Sequence, residues 1–132
     1  HRVQMPSHQL LRGFDEVYFA PHSRHTAICE EEILPGMGLE ILSRSEEAGS
    51  NILASQDGRQ FFVTSDSEYD RRTLAEEYFR DVEKGLPIEM PRGYFPGDNP
   101  EQDPPFIWRG HAHLLFSNWL NYYVYQQTPY EL

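Results

Sequence analysis

The sequence predicts an α/β fold, and three observations support that prediction. Residues 39–64 read as three short strands separated by turn signals. Residues 69–85 repeat apolar side chains at the spacing of one helical face. A second helical segment, rich in aromatic side chains, follows at 108–126. The length of 132 residues, 39% of them hydrophobic, suits a single domain covering 1-132 with its own core.

The three predicted strands form an antiparallel meander. LEILSRS at 39–45 alternates apolar and polar residues, NILASQ at 51–56 is the second strand, and RQFFVT at 59–64 is the third. The Asp-Gly pair at 57–58 predicts a type I′ hairpin turn, because both central residues of that turn need positive φ. No regular element is predicted for residues 1–38.

A strand–loop–helix junction is predicted around the loop SDSEYD at 65–70. Ser67 or Asp70 is expected to cap the helix, and Gly85 with Pro87 is expected to end it. The buried face of this helix is predicted to comprise Leu74, Tyr78 and Val82. In open α/β sheets, ligands bind at junctions of this kind.

Two apolar segments follow this helix. The loop at 85–107 contains six of the ten prolines, and we expect it to wrap the domain and to bury its large side chains, Ile88, Tyr94, Phe95 and Phe106. On the helix at 108–126, Leu115, Trp119 and Tyr123 share one face. Further aromatic residues widen that face, which predicts burial against a larger body or another subunit.

Composition excludes several classes of function. The formal net charge is −10 and no basic block is present, which argues against nucleic acid and anionic membranes as partners. No apolar run approaches the ~18 residues that would span a bilayer. The single cysteine, Cys29, and the absence of a signal-peptide core favour a cytoplasmic location.

Two segments carry candidate chemistry. Asp66 and Glu68 either form an acid–base pair in a cleft or belong to a loop that merely starts the helix. The segment APHSRHT at 20–26 presents four polar side chains in a row, which are His22, Ser23, Arg24 and His25. It is either part of a nucleophilic site, an arginine pocket for a carboxylate substrate, or a polar surface loop.

Two other features are weaker candidates. His111 and His113 face apart on a helix, so they do not share a metal ion, and no metal site is predicted. Three acidic residues follow Cys29 and disfavour its thiolate, which makes it a poor nucleophile.

Three long segments resemble one known family. They are LLRGFDEVYFAPHSRHT, FVTSDSEYDRRTLAEEYFRDVEKGL and YFPGDNPEQDPPFIWRGHAHLLFSNWLNYYVYQQTPYEL. Together they are similar to the C-terminal half of homoserine O-succinyltransferases and O-acetyltransferases, and the likeness covers essentially the whole chain. The resemblance implies the C-terminal half of a flavodoxin-like α/β body of the class I glutamine amidotransferase type. It makes the meander an appendage or edge of that sheet.

The resemblance also implies a reaction and its residues. An acyl group passes from succinyl-CoA or acetyl-CoA to the homoserine hydroxyl through an acyl-cysteine, in methionine biosynthesis. The family's catalytic Glu corresponds to Glu68, and its substrate-binding Ser and Arg correspond to Ser23 and Arg80. The catalytic His is replaced by Asp66. The family's nucleophilic Cys and a substrate-binding Lys lie upstream of His1, and Cys29 does not take the nucleophile's place.

Three functional interpretations follow. The chain is part of an acyltransferase whose N-terminal half lies elsewhere, a degenerate non-catalytic partner subunit, or a repurposed acyltransferase or hydrolase in which Asp66 and Glu68 serve another reaction. The resemblance implies acyl-CoA as a co-substrate and no bound cofactor. We expect no turnover by this chain alone. We also expect it to associate with the missing half or with a homologous subunit, as a homo- or hetero-oligomer.

Overall fold

The computed structural model describes residues 1–33 and 35–129. Leu34 lies outside the described residues, and so do Tyr130–Leu132, the last residues of the C-terminal motif. The described residues form an antiparallel sheet, two helical segments and a long wrapping loop. The α/β class predicted from the sequence is therefore confirmed. The described sheet has no parallel strand pair, so the flavodoxin-like body stays a prediction.

The sheet contains four strands in the order β1-β2-β3-β4, and all neighbours are antiparallel. The strands are β1 Arg2–Val3, β2 Leu39–Ser45, β3 Gly49–Ser55 and β4 Phe61–Val63. The predicted meander is thus confirmed, with shifted strand ends. Strand β1 comes from the segment predicted to be irregular, and it pairs with the far edge of β2.

The turn between β3 and β4 differs from the prediction. Gly58 has φ of 70°, but Asp98 is the only described non-glycine residue with positive φ, so Asp57 does not adopt the type I′ conformation. Instead, the Gly58 amide donates to the Ser55 carbonyl at 2.9 Å. The Asp57 carboxylate accepts hydrogen bonds from the Ser55 hydroxyl and the Arg59 amide. These side-chain bonds stabilise a turn in which only the glycine is left-handed.

The main core lies between the sheet, the N-terminal segment and the C-terminal helix. Strand β3 is buried along most of its length, since it is a central strand. The Tyr18 hydroxyl lies 2.6 Å from the Ser43 hydroxyl and accepts a hydrogen bond from the Asn51 amide at 2.7 Å. This polar group is satisfied within the core, as buried polar groups must be. The buried apolar residues are Leu10, Leu11, Tyr18, Leu42, Ile52, Ala54 and Leu115.

Helix α1 spans Thr73–Glu83. The predicted caps are wrong: Arg72 occupies the N-cap position without a side-chain hydrogen bond, and Ser67 is buried against Ser65. The predicted end is confirmed, because Gly85 has φ of 70° and its amide donates to the Val82 carbonyl.

The proline-rich loop wraps α1, as predicted. A second core packs Leu74 and Ala75 of the helix against Tyr94, Phe95 and Trp108. The Tyr94 hydroxyl donates to the Arg71 carbonyl at 2.6 Å, and the Trp108 indole donates to the Tyr69 carbonyl at 2.9 Å. These bonds hold the loop on the segment that leads into α1.

The C-terminal helical segment is not one regular α-helix. Helix α2 spans Arg109–Asn118 and continues as a π-helix over Trp119–Tyr125. The wider turn changes the helical period, so the predicted common face is divided. Leu115 is buried and Tyr123 packs on the main core, whereas Trp119 is 42% exposed. The Asn118 amide anchors the join by donating to the carbonyls of Leu10 and Arg12 at 2.9 and 2.8 Å.

Candidate active site

Two loops that are distant in sequence meet at Asp66. Its amide donates to the Pro21 carbonyl at 2.9 Å. Its carboxylate oxygen Oδ2 accepts the backbone amide of Ser23 at 2.6 Å. The candidate segment at 20–26 therefore lies directly against the candidate loop at 65–70, and the structure brings Ser23 and Asp66 together.

The loop that carries Asp66 is held by hydrogen bonds to strand β3. The Ser65 amide donates to the Asn51 side chain at 3.1 Å, and the Thr64 hydroxyl donates to the Ser50 carbonyl at 2.9 Å. The buried hydroxyls of Ser65 and Ser67 lie 3.1 Å apart. Because Asn51 also bonds to Tyr18 in the core, the position of the loop is set by the packing of the sheet.

The charge of Asp66 is disfavoured by its surroundings. Partial burial raises the pKa of its carboxyl group, and the carboxylates of Glu68 and Glu77 raise it further. The Ser23 amide and the Arg24 guanidinium act in the opposite direction. The pKa of Asp66 nevertheless lies above its ordinary value.

Arg80 and Ser23 line one cleft, which we call the Arg80 cleft. It has a volume of about 410 Å³ and lies between the loop at 20–26, helix α1 and the start of the proline-rich loop. The guanidinium of Arg80 pairs with its neighbour Asp81 at 2.8 Å. The ion pair with Glu76 or Glu77 that the helical spacing allows is not formed by this arginine.

Glu77 is a residue of this cleft that the sequence analysis did not single out. The Tyr69 hydroxyl donates to its Oε1 at 3.0 Å. Its Oε2 is buried and has no hydrogen-bond partner among the described residues. Glu77 and Arg80 lie three positions apart on α1, and that spacing was the signal that could have identified the pair. The Arg80 cleft thus contains the guanidinium groups of Arg24 and Arg80 and three carboxylates, of which Glu77 has an oxygen without a hydrogen-bond partner among the described residues.

His22 lies at the rim of the same cleft. Burial, and to a smaller extent the nearby Arg24 guanidinium, lower its pKa to about 4. The imidazole is therefore neutral near pH 7. Its Nε2 lies 2.8 Å from Nε2 of His1.

Glu68 lies on the other side of the loop. It is exposed and lines a cleft of about 540 Å³ together with Asp66, Phe116 and Trp119, which we call the Trp119 cleft. Arg80 and Ser23 are not among the residues that line it. Asp66 therefore separates the predicted substrate-binding residues from the predicted catalytic glutamate.

The remaining candidates lie away from these clefts. Cys29 is exposed and lines neither the Arg80 cleft nor the Trp119 cleft. His111 contacts Asp15 at 3.2 Å and packs against the rings of Phe14 and Tyr18. Across residues 1–33 and 35–129, no three His, Cys, Asp or Glu side chains are grouped to hold a metal ion. In the same residues, no helix has the length and apolar character needed to cross a membrane.

Comparison with known proteins gives a consistent result. A model of the homoserine O-succinyltransferase family matches residues 1–130. A homoserine O-acetyltransferase of Acetivibrio thermocellus is 58% identical over 132 residues, which is all of this chain and 43% of that protein. Homoserine O-acetyltransferases of Bacteroides fragilis and Desulfitobacterium hafniense are 53% and 54% identical, with the same coverage. The chain thus spans 43% of the length of these relatives.

Proposed function

Because this chain belongs to the homoserine O-succinyltransferase family, as its motifs predicted, we propose that it forms the homoserine-binding part of an acyl-CoA-dependent homoserine O-acyltransferase. The observation that carries the proposal is the Arg80 cleft, in which Ser23, Glu77 and Arg80 meet. This reaction belongs to methionine biosynthesis, and its setting is the cytoplasm.

The charges of the Arg80 cleft suit a small amino acid. The Arg80 guanidinium can form two parallel hydrogen bonds with a carboxylate, once it exchanges Asp81 for the substrate. The buried Oε2 of Glu77 is an acceptor without a donor among the described residues, and it suits an α-ammonium group. Ser23, on the neighbouring loop at 20–26, completes a site for the zwitterion of homoserine.

Acyl transfer requires groups that this chain lacks. In the proposed reaction, a cysteine thiolate takes the acyl group from the thioester and releases CoA, and the homoserine hydroxyl then takes it from the acyl-cysteine and loses its proton. A base for these steps works best with a pKa near the operating pH. Imidazole, at about 6.5, meets this need, whereas an ordinary aspartate is about 2.6 units weaker, or about 3.5 kcal/mol. The raised pKa of Asp66 reduces the difference in basicity between its carboxylate and an imidazole.

We assign the nucleophile and the parallel part of a flavodoxin-like body to a further part of a longer protein or to a homologous subunit. The apolar surface supports this assignment. Six large side chains on β4 and the C-terminal helical segment are between 38% and 57% exposed, and they are Phe62, Val63, Phe116, Trp119, Leu120 and Tyr125. A single-chain protein seldom leaves so much apolar surface uncovered. Sedimentation velocity is expected to show association, and a compact species of 15.5 kDa that binds no hydrophobic dye would contradict it.

The acyl donor is proposed to be acetyl-CoA. Three relatives that match the whole chain at 53% to 58% identity bear the name homoserine O-acetyltransferase. The family description names succinyl transfer instead. An acyl-transfer assay with both donors tests this assignment once the missing part of the enzyme is supplied. A preference for succinyl-CoA would reverse it.

A second candidate function rests on Asp66. By the family resemblance this residue stands where the catalytic base is expected, and its carboxylate accepts the Ser23 amide. This arrangement favours a non-catalytic partner that retains the homoserine site. Binding without turnover after the missing part is supplied would support this candidate, whereas acyl transfer would exclude it.

Homoserine binding by the purified chain tests the shared part of both candidates. Calorimetric titration is expected to detect binding in the wild type and a loss of about 30-fold or more in Arg80→Gln, because a charge-assisted pair is removed. The matched control is Arg71→Gln, since Arg71 is exposed and lines neither cleft. Equal affinities for homoserine in wild type and Arg80→Gln would remove the assignment.

A further inference from the structure

The carboxylate of Asp66 makes a backbone contact that is separate from any role as a base. Oδ2 of Asp66 and the Ser23 amide are 2.6 Å apart, which is short for a hydrogen bond from a backbone amide. The neighbouring bond from the Asp66 amide to the Pro21 carbonyl is directed the opposite way. The two bonds together join residues 21–23 to the loop of Asp66 at two adjacent points.

We propose that Asp66 is a positioning residue, whose carboxylate fixes the backbone at Ser23 and thereby the wall of the Arg80 cleft. This inference rests on the proposed function, since it gives Asp66 a part in homoserine binding. The carboxylate lies outside the Arg80 cleft and reaches it through the Ser23 amide. Asp66 thus acts on the substrate through another residue.

The contact lies at the surface of the protein, between a partly buried carboxylate and an exposed backbone amide. Its strength comes from the charge of the acceptor, since hydrogen bonds to an ionised group are stronger than those between neutral groups. The loop of Asp66 is held rigidly by the bonds of Ser65 and Thr64 to β3. Ser23 itself is exposed. The contact therefore transfers order from the sheet to an exposed segment.

The contact also limits what Asp66 can do as a base. A carboxylate oxygen that accepts a short amide hydrogen bond is less available to take a proton. The charged groups that face Asp66 are Glu68 on its own loop, Glu77 on α1 and Arg24 on the segment at 20–26. The two glutamates favour protonation of Asp66, and protonation weakens the contact with the Ser23 amide because the acceptor loses its charge.

Three variants test the inference by homoserine titration. Asp66→Ala removes the acceptor and is expected to weaken binding about tenfold, equivalent to about 1.4 kcal/mol. Asp66→Asn keeps a neutral oxygen acceptor and is expected to stay within about threefold of the wild type. Asp70→Ala, on the exposed end of the same loop, is the matched control and is expected to bind as the wild type does. Wild-type affinity in Asp66→Ala would overturn the inference.

A second measurement keeps the inference separate from the proposed function. In the labelled wild-type chain, the Ser23 amide resonance is expected to shift with pH at the same midpoint as the Asp66 side-chain carbon. A Ser23 amide that does not follow Asp66 overturns the inference, even if Asp66→Ala fails to fold. A wild type that binds no homoserine contradicts the proposed function, and the Ser23 titration then decides the contact by itself.

Discussion

The two clefts beside Asp66 differ in what they lack. In the Arg80 cleft, the Arg80 guanidinium and a Glu77 carboxylate with one unbonded oxygen lie beside the loop at 20–26, which supports the zwitterion site proposed above. The Trp119 cleft has two carboxylates beside exposed aromatic side chains, and no described residue that lines it supplies a thiol. We therefore expect substrate binding and acyl-transfer chemistry to be separable in this chain. Four experiments test this difference between the clefts.

The largest effect is expected at the Trp119 cleft. When the remaining part of the Acetivibrio thermocellus relative is supplied, Asp66→His should exceed the wild type in acyl transfer by about 100-fold, because imidazole is the stronger base at neutral pH. Recovery of the relative's full rate is not expected, since Ser65 and Ser67 shape the loop and a small misplacement is costly.

Single-turnover transfer from acetyl-CoA and succinyl-CoA measures this effect, and the chain without the added part is the blank. A wild type faster than Asp66→His would show that Asp66 has gained a catalytic role of its own. Turnover by the unsupplemented chain would contradict the division between the clefts.

The next effect concerns the Arg80 cleft alone. Glu77→Gln is expected to weaken homoserine binding about tenfold, because a charged acceptor for the ammonium group becomes neutral. Binding of 4-hydroxybutyrate, which lacks the ammonium group, should be unchanged. Calorimetry on both ligands measures the difference, with the exposed neighbour variant Glu76→Gln as control. Equal losses for the two ligands would show that Glu77 has only a structural part.

A smaller effect is expected at the rim of the Arg80 cleft. The pKa of His22 is about 4 in the folded chain and about 6.5 when unfolded, so the unfolded chain binds more protons between these values. Its contribution to the free energy of unfolding therefore rises from pH 4 to pH 6.5 and is constant above. Since the ring is partly exposed, we expect a rise of about 1–2 kcal/mol.

Urea unfolding at pH 4.5 and pH 7 measures this contribution as the difference between the wild type and His22→Gln. The exposed His113→Gln is the control, and it should keep the wild-type pH dependence. An unchanged pH dependence in His22→Gln would contradict the assignment.

The smallest effect is expected from Trp119→Phe. Trp119 is 42% exposed and this change removes only part of its ring system, so it should change the free energy of unfolding of this chain by less than about 1 kcal/mol. Chemical denaturation measures the change. A loss above about 2 kcal/mol would show that the Trp119 cleft is already a finished part of the core.

Local patterns predicted much of this arrangement. The meander, the strand–loop–helix junction and the end of α1 at Gly85 each depend on a short stretch of sequence. The hydrogen bond between Ser23 and Asp66 was not predicted, because it joins residues 43 positions apart. The family resemblance assigned both residues to one active site. The π-helix was missed, since it depends on packing that no local period encodes. Glu77 was missed although its spacing from Arg80 on α1 is visible in the sequence, because its bond to Tyr69 is not.

The bonds of Asn118 have a consequence for how the protein is made. Its side chain donates to the carbonyls of Leu10 and Arg12, which lie 108 and 106 positions earlier in the chain. Contacts of such high sequence separation form late, because a long loop must be ordered before they repay its entropy. During synthesis the N-terminal segment therefore waits for α2 to leave the ribosome. Until then its apolar residues are available to chaperones, and stalling before residue 118 is expected to leave a protease-sensitive chain.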